Sequence, residues 1–226
     1  MKIELHVHTN FSLDGLNSPQ EMVSSAISKG IDCICITDHS EIRGAEEALL
    51  YAFSKPILVI PGIEIKSKEG HILGINVKKH IPDGLSARET IIEIDKLGGM
   101  AIIAHPFAWP KNFKGNLKKT IEETRDHFVA IEVFNAAILN YANKKALEFA
   151  KSLNLPITVG SDTHEIDSIG RASLEIEGEN LSVNKIFEEI KKRNVKIKSE
   201  NISFFKKITD VLKRHFRKLK RGKFRV

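Results

Sequence analysis

Two histidines two residues apart, His6 and His8, open the chain inside the apolar run Ile3-Glu4-Leu5-His6-Val7-His8-Thr9. In an extended segment alternate residues point to one face, so the two imidazoles project side by side and can share a single cation. Asp14, at an Asp-Gly turn six residues beyond His8, adds a carboxylate. More donors sit at or near the ends of later apolar runs. Asp38-His39 follows Cys33 to Thr37, Glu64 lies in Ile57 to Ile65, and His71 opens the run from Gly70 to Val77. His105 follows Met100 to Ala104, and Asp162-x-His164 follows Ile157 to Gly160. Collected on one face without a metal, these groups would bury repelling acids beside imidazoles with no counterion. Mixed imidazole and carboxylate donors without thiolate suit Mn, Fe or Zn.

The elements that must carry these donors alternate between short β-rich runs and helix-like stretches, which points to an α/β fold with a largely parallel sheet. Ser18-Pro19-Gln20-Glu21 predicts a helix start, with Ser18 as N-cap, Pro19 in the first turn and Glu21 completing a capping box. Further helices are expected over 42–53, 87–97, 117–126, 138–153 and 183–193, and Lys66 to Gly70 reads as a hairpin turn. Cys33 and Cys35 share one face of a strand, too close along the backbone for a comfortable disulfide, and read as small packed residues.

Charge is unevenly distributed. The net charge is +6, yet Ser203 to Val226 holds ten Lys/Arg against Asp210 alone, which is +9 and leaves 6 − 9 = −3 for the other 202 residues. Phe204, Phe205, Ile208, Val211, Leu212 and Phe216 recur at helical spacing, so the tail reads as an amphipathic helix docked by its apolar stripe. Residues 203–226 could also bind nucleic acid through phosphate contacts, or a membrane surface or partner protein. No apolar run approaches the roughly 18 residues of a membrane span, and Met1-Lys2-Ile3-Glu4 passes straight into a strand. A cytoplasmic protein is expected.

Taken together, His6-x-His8-Thr9 with Ser12-Leu13-Asp14-Gly15, Thr37-Asp38-His39, Pro61-Gly62-Ile63-Glu64, Gly70-His71, Ala104-His105-Pro106 and Ser161-Asp162-x-His164 resemble the polymerase-and-histidinol-phosphatase (PHP) family of metal-dependent phosphoesterases. The resemblance runs from residue 3 to residue 164, in the family's order. It implies a distorted TIM-like (β/α)7 barrel over residues 1–200, followed by the tail helix over 201–226, with two or three divalent metals at the C-terminal ends of the strands. One metal would take His6, His8, Glu64 and Asp162. A second would share Glu64 and take His71 and His105, and a third would take Asp14, His39 and His164. Ile131-Glu132-Val133-Phe134-Asn135 is similar to a stretch in the branch that degrades nucleotides and short RNA from the 5′ end.

The expected chemistry is hydrolysis of a phosphate ester of a nucleotide, another phosphorylated small molecule or a 5′ nucleic-acid end by a metal-bound hydroxide. Glu64, His105, Asp162 and His164 stand among the catalytic groups, and Arg171 and Asn135 are candidates for substrate binding. Asp38 is expected to orient an imidazole rather than to bind metal. Trp109, on the loop after His105-Pro106, either packs or stacks on a base. Two rivals remain. One is a non-catalytic RNA-binding subunit related to the barrel protein of ribonuclease P. The other is an amidohydrolase-type barrel, which commonly needs a bridging lysine carbamate, and no lysine here ends an apolar strand at the right place.

Overall fold

The computed structural model describes every residue except 110, 111, 128, 201 and 223–226, and only the backbone of Phe204. Strands β1 (Lys2–Val7), β2 (Cys33–Ile36), β3 (Leu58–Lys66), β4 (His71–Ile75), β5 (Met100–Ile103), β6 (Val129–Asn135) and β7 (Ile157–Gly160) lie side by side in chain order. The sheet curls until its two ends meet. The His8 N–H donates to the Thr163 carbonyl at 2.8 Å and the Thr163 N–H to the His6 carbonyl at 3.2 Å, so β1 meets the segment leaving β7. The result is a nearly closed barrel of seven strands. Beyond β1 the sheet continues through β8 (Ala172–Glu175) and β9 (Lys196–Ser199), both paired antiparallel.

The helices are α1 (Pro19–Ser28), α2 (Arg43–Ala52), α3 (Ala87–Lys96), α4 (Leu117–Glu123), α5 (Asn140–Ser152), α6 (Val183–Lys192) and α7 (Phe204–Gly222). The Ser18–Glu21 capping box forms as its sequence predicts, and a second closes the start of α3 through Ser86 and Glu89. In β1 the strand alternation separates Ile3, Leu5 and Val7 from Glu4, His6 and His8, and all six are buried. Apolar residues on one face pack against the helical layer, while the other face carries the polar groups into the barrel.

Two expectations need correction. The sheet is evenly mixed rather than largely parallel: β1–β2, β2–β3, β5–β6 and β6–β7 pair parallel. By contrast, β4 pairs antiparallel with β5 and, through the expected Lys66–Gly70 hairpin, with β3, and β1–β8 and β8–β9 are antiparallel too. Only four residues separate Lys66 from His71, too few for the crossover of a dozen or more that parallel neighbours need. His71 therefore starts its strand, yet the Lys66–His71 pairing places it at the same rim where the parallel strands end.

The tail is helical as predicted but docks by its other face. Lys207, Asp210, Arg214, Arg217 and Arg221 turn towards the barrel, whereas Ile208, Leu212, Phe216 and Leu219 are 39%, 51%, 66% and 50% exposed. The rim explains the inversion. It offers Glu165 to Arg217 at 2.6 Å, the Ile138 carbonyl to Lys207 at 2.6 Å and the Gly15 carbonyl to Arg221 at 2.7 Å. Charge-assisted bonds of this kind are stronger than neutral ones.

Candidate metal centre

Glu64, near the end of β3, sits among five imidazoles. Its Oε1 is 2.7 Å from His71 Nδ1, 3.3 Å from His105 Nε2 and 3.7 Å from His6 Nε2, and its Oε2 is 2.7 Å from His39 Nδ1 and 3.3 Å from His8 Nε2. Asp162 Oδ1 lies 3.7 Å from His6 Nε2 and 3.5 Å from His8 Nε2. Asp14 Oδ1 lies 3.6 Å from His39 Nε2 and 3.4 Å from His164 Nε2. All nine metal-ligand candidates of the sequence thus converge at one barrel mouth. Three groups have donor atoms within 4.8 Å of one another: His6, His8 and Asp162; His6, Glu64 and His105; His8, His39 and His164.

The backing of the rings shows what they present to the centre. The Ser12 hydroxyl donates to Asp38 Oδ1 at 2.6 Å, so the 3.1 Å contact between His8 Nδ1 and Ser12 Oγ is a bond donated by His8. His6 Nδ1 donates to Glu132 Oε1 at 2.8 Å, and His164 Nδ1 to the Asp162 carbonyl at 2.9 Å. Each ring with its proton on Nδ1 turns an Nε2 lone pair to the centre, the form that ligates a cation. Asp38 acts one step back, since it also accepts from the Thr9 N–H and hydroxyl, both at 2.7 Å.

Buried polar atoms without a hydrogen-bond partner point the same way. Among the described residues there are eight, and seven belong to this set: His6 Nε2, His8 Nε2, Asp14 Oδ1, His39 Nε2, His105 Nδ1, His164 Nε2 and Glu64 Oε2, whose 2.7 Å approach to His39 Nδ1 falls outside hydrogen-bond geometry. Orphaned lone pairs on this scale are costly unless a cation accepts them. The residues present therefore fit divalent metal.

The electrostatics follow from crowding. Burial pushes the Glu64 carboxyl up, but His71 and His39 more than offset it and hold it well below its ordinary range. Asp14 is also held far down, with burial outweighed by His164 and His39, and Asp162 likewise by His6 and Arg214. Burial works against the His39 imidazolium, yet Glu64 and Asp14 raise its pKa to about 9. His8 goes the other way, driven down by burial and by the rings of His164 and His39.

Backbone geometry is unusual at two donors. His105 and Asp162 have φ of 29° and 49°, left-handed conformations that cost a non-glycine residue about 1–3 kcal/mol each. The His105 N–H is held there by Glu132 Oε2 at 2.8 Å. Gly160 is required beside them, because a Cβ would stand 2.5 Å from Glu132 Oε1 and 2.5 Å from the His6 Cβ.

Glu132 is the functional residue that the sequence reading leaves unassigned. It backs His6, fixes His105 and accepts from the Asn135 amide at 3.0 Å. Its signal was strand alternation, which places a lone acid of β6 on the inward face. Glu4, on the same face of β1 as His6, is a second such acid, pushed up to about 7 by burial and bonded to the Ser161 and Gly170 N–H groups. Asn135 is fully buried, and its amide is used by Glu132 and Ala137, so it stands behind the donors rather than in the mouth. Arg171 reaches the mouth and donates to Asp210 of α7 at 3.1 Å, lining a cleft with Asp162, His164, Lys207 and Arg214. Trp109 is 88% exposed and does not pack.

Comparison with known proteins agrees with the geometry. The PHP domain model matches residues 4–136 and the PHP-associated model residues 140–195. The uncharacterized protein MJ1587 of Methanocaldococcus jannaschii is 37% identical over 118 residues, 48% of this chain and 69% of that one. A probable phosphatase of Aliivibrio fischeri is 24% identical over 206 residues, 77% of this chain and 82% of its own. A 5′-3′ exoribonuclease of Haemophilus influenzae is 39% identical over 85 residues, 36% of this chain but 31% of that enzyme. Among solved structures, PsfC of Pseudomonas syringae superposes with a TM-score of 0.65 at 18% identity, covering 96% of this chain and 98% of that one. The lesion-specific endonuclease of Pyrococcus furiosus gives a TM-score of 0.65 at 17% identity over 87% of this chain and 57% of that one. With more than half its length under the PHP domain model, this chain belongs to the PHP family of metal-dependent phosphoesterases.

Proposed function

We propose that this phosphoesterase hydrolyses phosphate esters of nucleotides or of the 5′ end of short nucleic acids. The observation that carries the proposal is Glu64, whose two carboxylate oxygens lie within 3.7 Å of five imidazoles. In this reading the residues that would hold cations are Glu64 with His6, His8 and Asp162, Glu64 with His71 and His105, and Asp14 with His39 and His164. Bound there, divalent cations of the Mn, Fe or Zn kind supply Lewis acidity on phosphoryl oxygens and lower the pKa of a water molecule.

The chain's own part is positional. Glu132 and Ser12 keep the protons of His6 and His8 on Nδ1, so the Nε2 lone pairs stay directed at the centre. Asp162 and His164 border the cleft in which Arg171 and Arg214 face an incoming anion. Arg171 exchanges Asp210 for a substrate phosphate, which its planar fork can hold bidentately. The exoribonuclease relative's name supports the nucleic-acid class, and the phosphatase relatives' names support phosphate-ester hydrolysis without naming a substrate. The cationic cleft supports a substrate with more than one negative group.

The test pairs metal analysis of the purified protein with phosphate release from nucleotides and from short 5′-phosphorylated RNA, with added Mn²⁺. Wild type is compared with His8→Ala and Asp162→Ala. Two or more metals per chain with activity lost in both variants supports the proposal, and the preferred substrate selects its branch. A metal-free protein that binds RNA and releases nothing would restore the binding-subunit rival.

A further inference from the structure

We infer that α7 is a membrane-surface helix, whose outward face docks on an anionic lipid bilayer while its inward face stays on the barrel. The inward set is Lys207, Asp210, Arg214, Arg217 and Arg221, spaced three and four residues apart, so these side chains share one side of the helix. Each is tied down. Lys207 donates to the Ile138 carbonyl and to Asn140 Oδ1 at 2.9 Å, and Asp210 accepts from Arg171 and from Lys206 at 3.0 Å. Arg214 lies 3.6 Å from Asp162, Arg217 pairs with Glu165, and Arg221 reaches the Gly15 carbonyl. The helix is thus pinned at both ends across the barrel mouth.

The opposite side carries Ile208, Leu212, Phe216 and Leu219, again three and four apart and all exposed. A single exposed leucine is ordinary, but a continuous apolar stripe along more than three helical turns marks an interaction surface. At 100° of turn per residue, Lys220 and Lys213 flank the stripe on one side, and Lys218 flanks it on the other beyond exposed His215 and Val211. No acid stands among them, since Asp210, the only acid of α7, faces inward to Arg171.

That charge pattern selects the occupant. A second copy of α7 would bring lysines against lysines along the seam, and like charges at such contacts are destabilising. Nucleic acid would satisfy the lysines and leave aliphatic Ile208, Leu212 and Leu219 in water. An anionic bilayer accepts both features, with lysines at the headgroups and the apolar stripe at the acyl boundary.

The experiment is sedimentation of the full chain with vesicles of phosphatidylcholine alone and of phosphatidylcholine mixed equally with phosphatidylglycerol. Binding to the mixed vesicles alone, weakened about tenfold or more in Leu212→Gln/Phe216→Gln, is the expected result. Because those side chains point outward, the double variant keeps its metal content and thermal midpoint, so a loss of binding does not arise from misfolding. Three results would overturn the inference: no sedimentation with either vesicle, unchanged binding by the double variant, or a dimer of the free protein that the double variant dissociates. RNA binding lost in the double variant while vesicle binding is absent would also do so, in favour of a nucleic-acid surface.

Discussion

At the barrel mouth, imidazoles and carboxylates are buried with lone pairs that no protein group satisfies, and on α7, a few ångströms away, apolar side chains stand in water beside lysines. The two regions depart from the usual partition in opposite directions. In the first, polar groups are where apolar ones are expected, and in the second the reverse holds. Each region is costly as it stands and becomes favourable with a partner of defined chemistry. For the mouth that partner is a cation, and for the helix it is an anionic, oily surface. The mouth is rigidly prepared for its partner by Glu132, Ser12 and Asp38, whereas the outward face of α7 has no such backing.

The largest effect is expected at the centre of the mouth. Glu64→Gln keeps the shape of the side chain and removes the charge between five imidazoles. Phosphate release should fall by about a thousandfold or more, several kcal/mol of lost transition-state stabilisation. Activity within a few-fold of wild type would mean that the cluster is not the reaction centre.

One step outward, Glu132→Gln should weaken metal affinity by roughly ten- to a hundredfold, as loss of an outer partner to a ligating histidine commonly does. Titration of the chelated protein with Mn²⁺ measures this. An unchanged affinity would make Glu132 a packing residue.

Protonation sharpens the contrast further. In chelated protein the His39 pKa of about 9 lies above its unfolded value of 6.5, so the stability it contributes is complete below pH 6.5 and is lost as pH rises through 9. With metal bound the ring must be neutral, and the trend reverses as protons leave. Urea midpoints between pH 6 and 9.5 with and without chelator should therefore slope in opposite directions. His39→Asn should lessen the slope of the chelated curve. The remainder comes from His6, whose burial is outweighed by Glu132 and Asp162, which hold it well above its ordinary range. Equal slopes in wild type would refute the coupling.

The smallest effect is expected on α7. Leu212→Gln and Phe216→Gln should each change folding stability by less than about 0.5 kcal/mol, because both side chains are already in water. A loss of about 2 kcal/mol in urea denaturation would show that the stripe is packed after all.

Much of this was legible from spacing. Most donors of the mouth lie within or just after an apolar run, with Asp14 at a turn beyond the first one, and the Ser18–Glu21 cap announces its helix. What stayed hidden depends on three-dimensional context. Residues Lys66 to Gly70 signal a hairpin, yet the sheet as a whole was expected to be mostly parallel, since βαβ alternation dominates the rest of the chain. Glu132 reads as any acid in a strand until the barrel closes and turns it towards His6. For α7 the helical period was plain, but a period does not say which face docks. That choice was made by Glu165 and by the carbonyls of Ile138 and Gly15, far away in sequence.

The left-handed backbone at His105 and Asp162 bears on how such a centre persists through descent. Random substitution tends to relieve strain, and a glycine at either position would fit the chain more comfortably than the donor does. Replacing an orphaned buried imidazole with an apolar residue would likewise be neutral or favourable to folding. A lineage with no use for the cations would slide downhill in stability as it lost these donors one by one. Eight of the nine donors, all but His71, thus stand where the fold alone would favour another residue, and a bound cation is what would offset that cost.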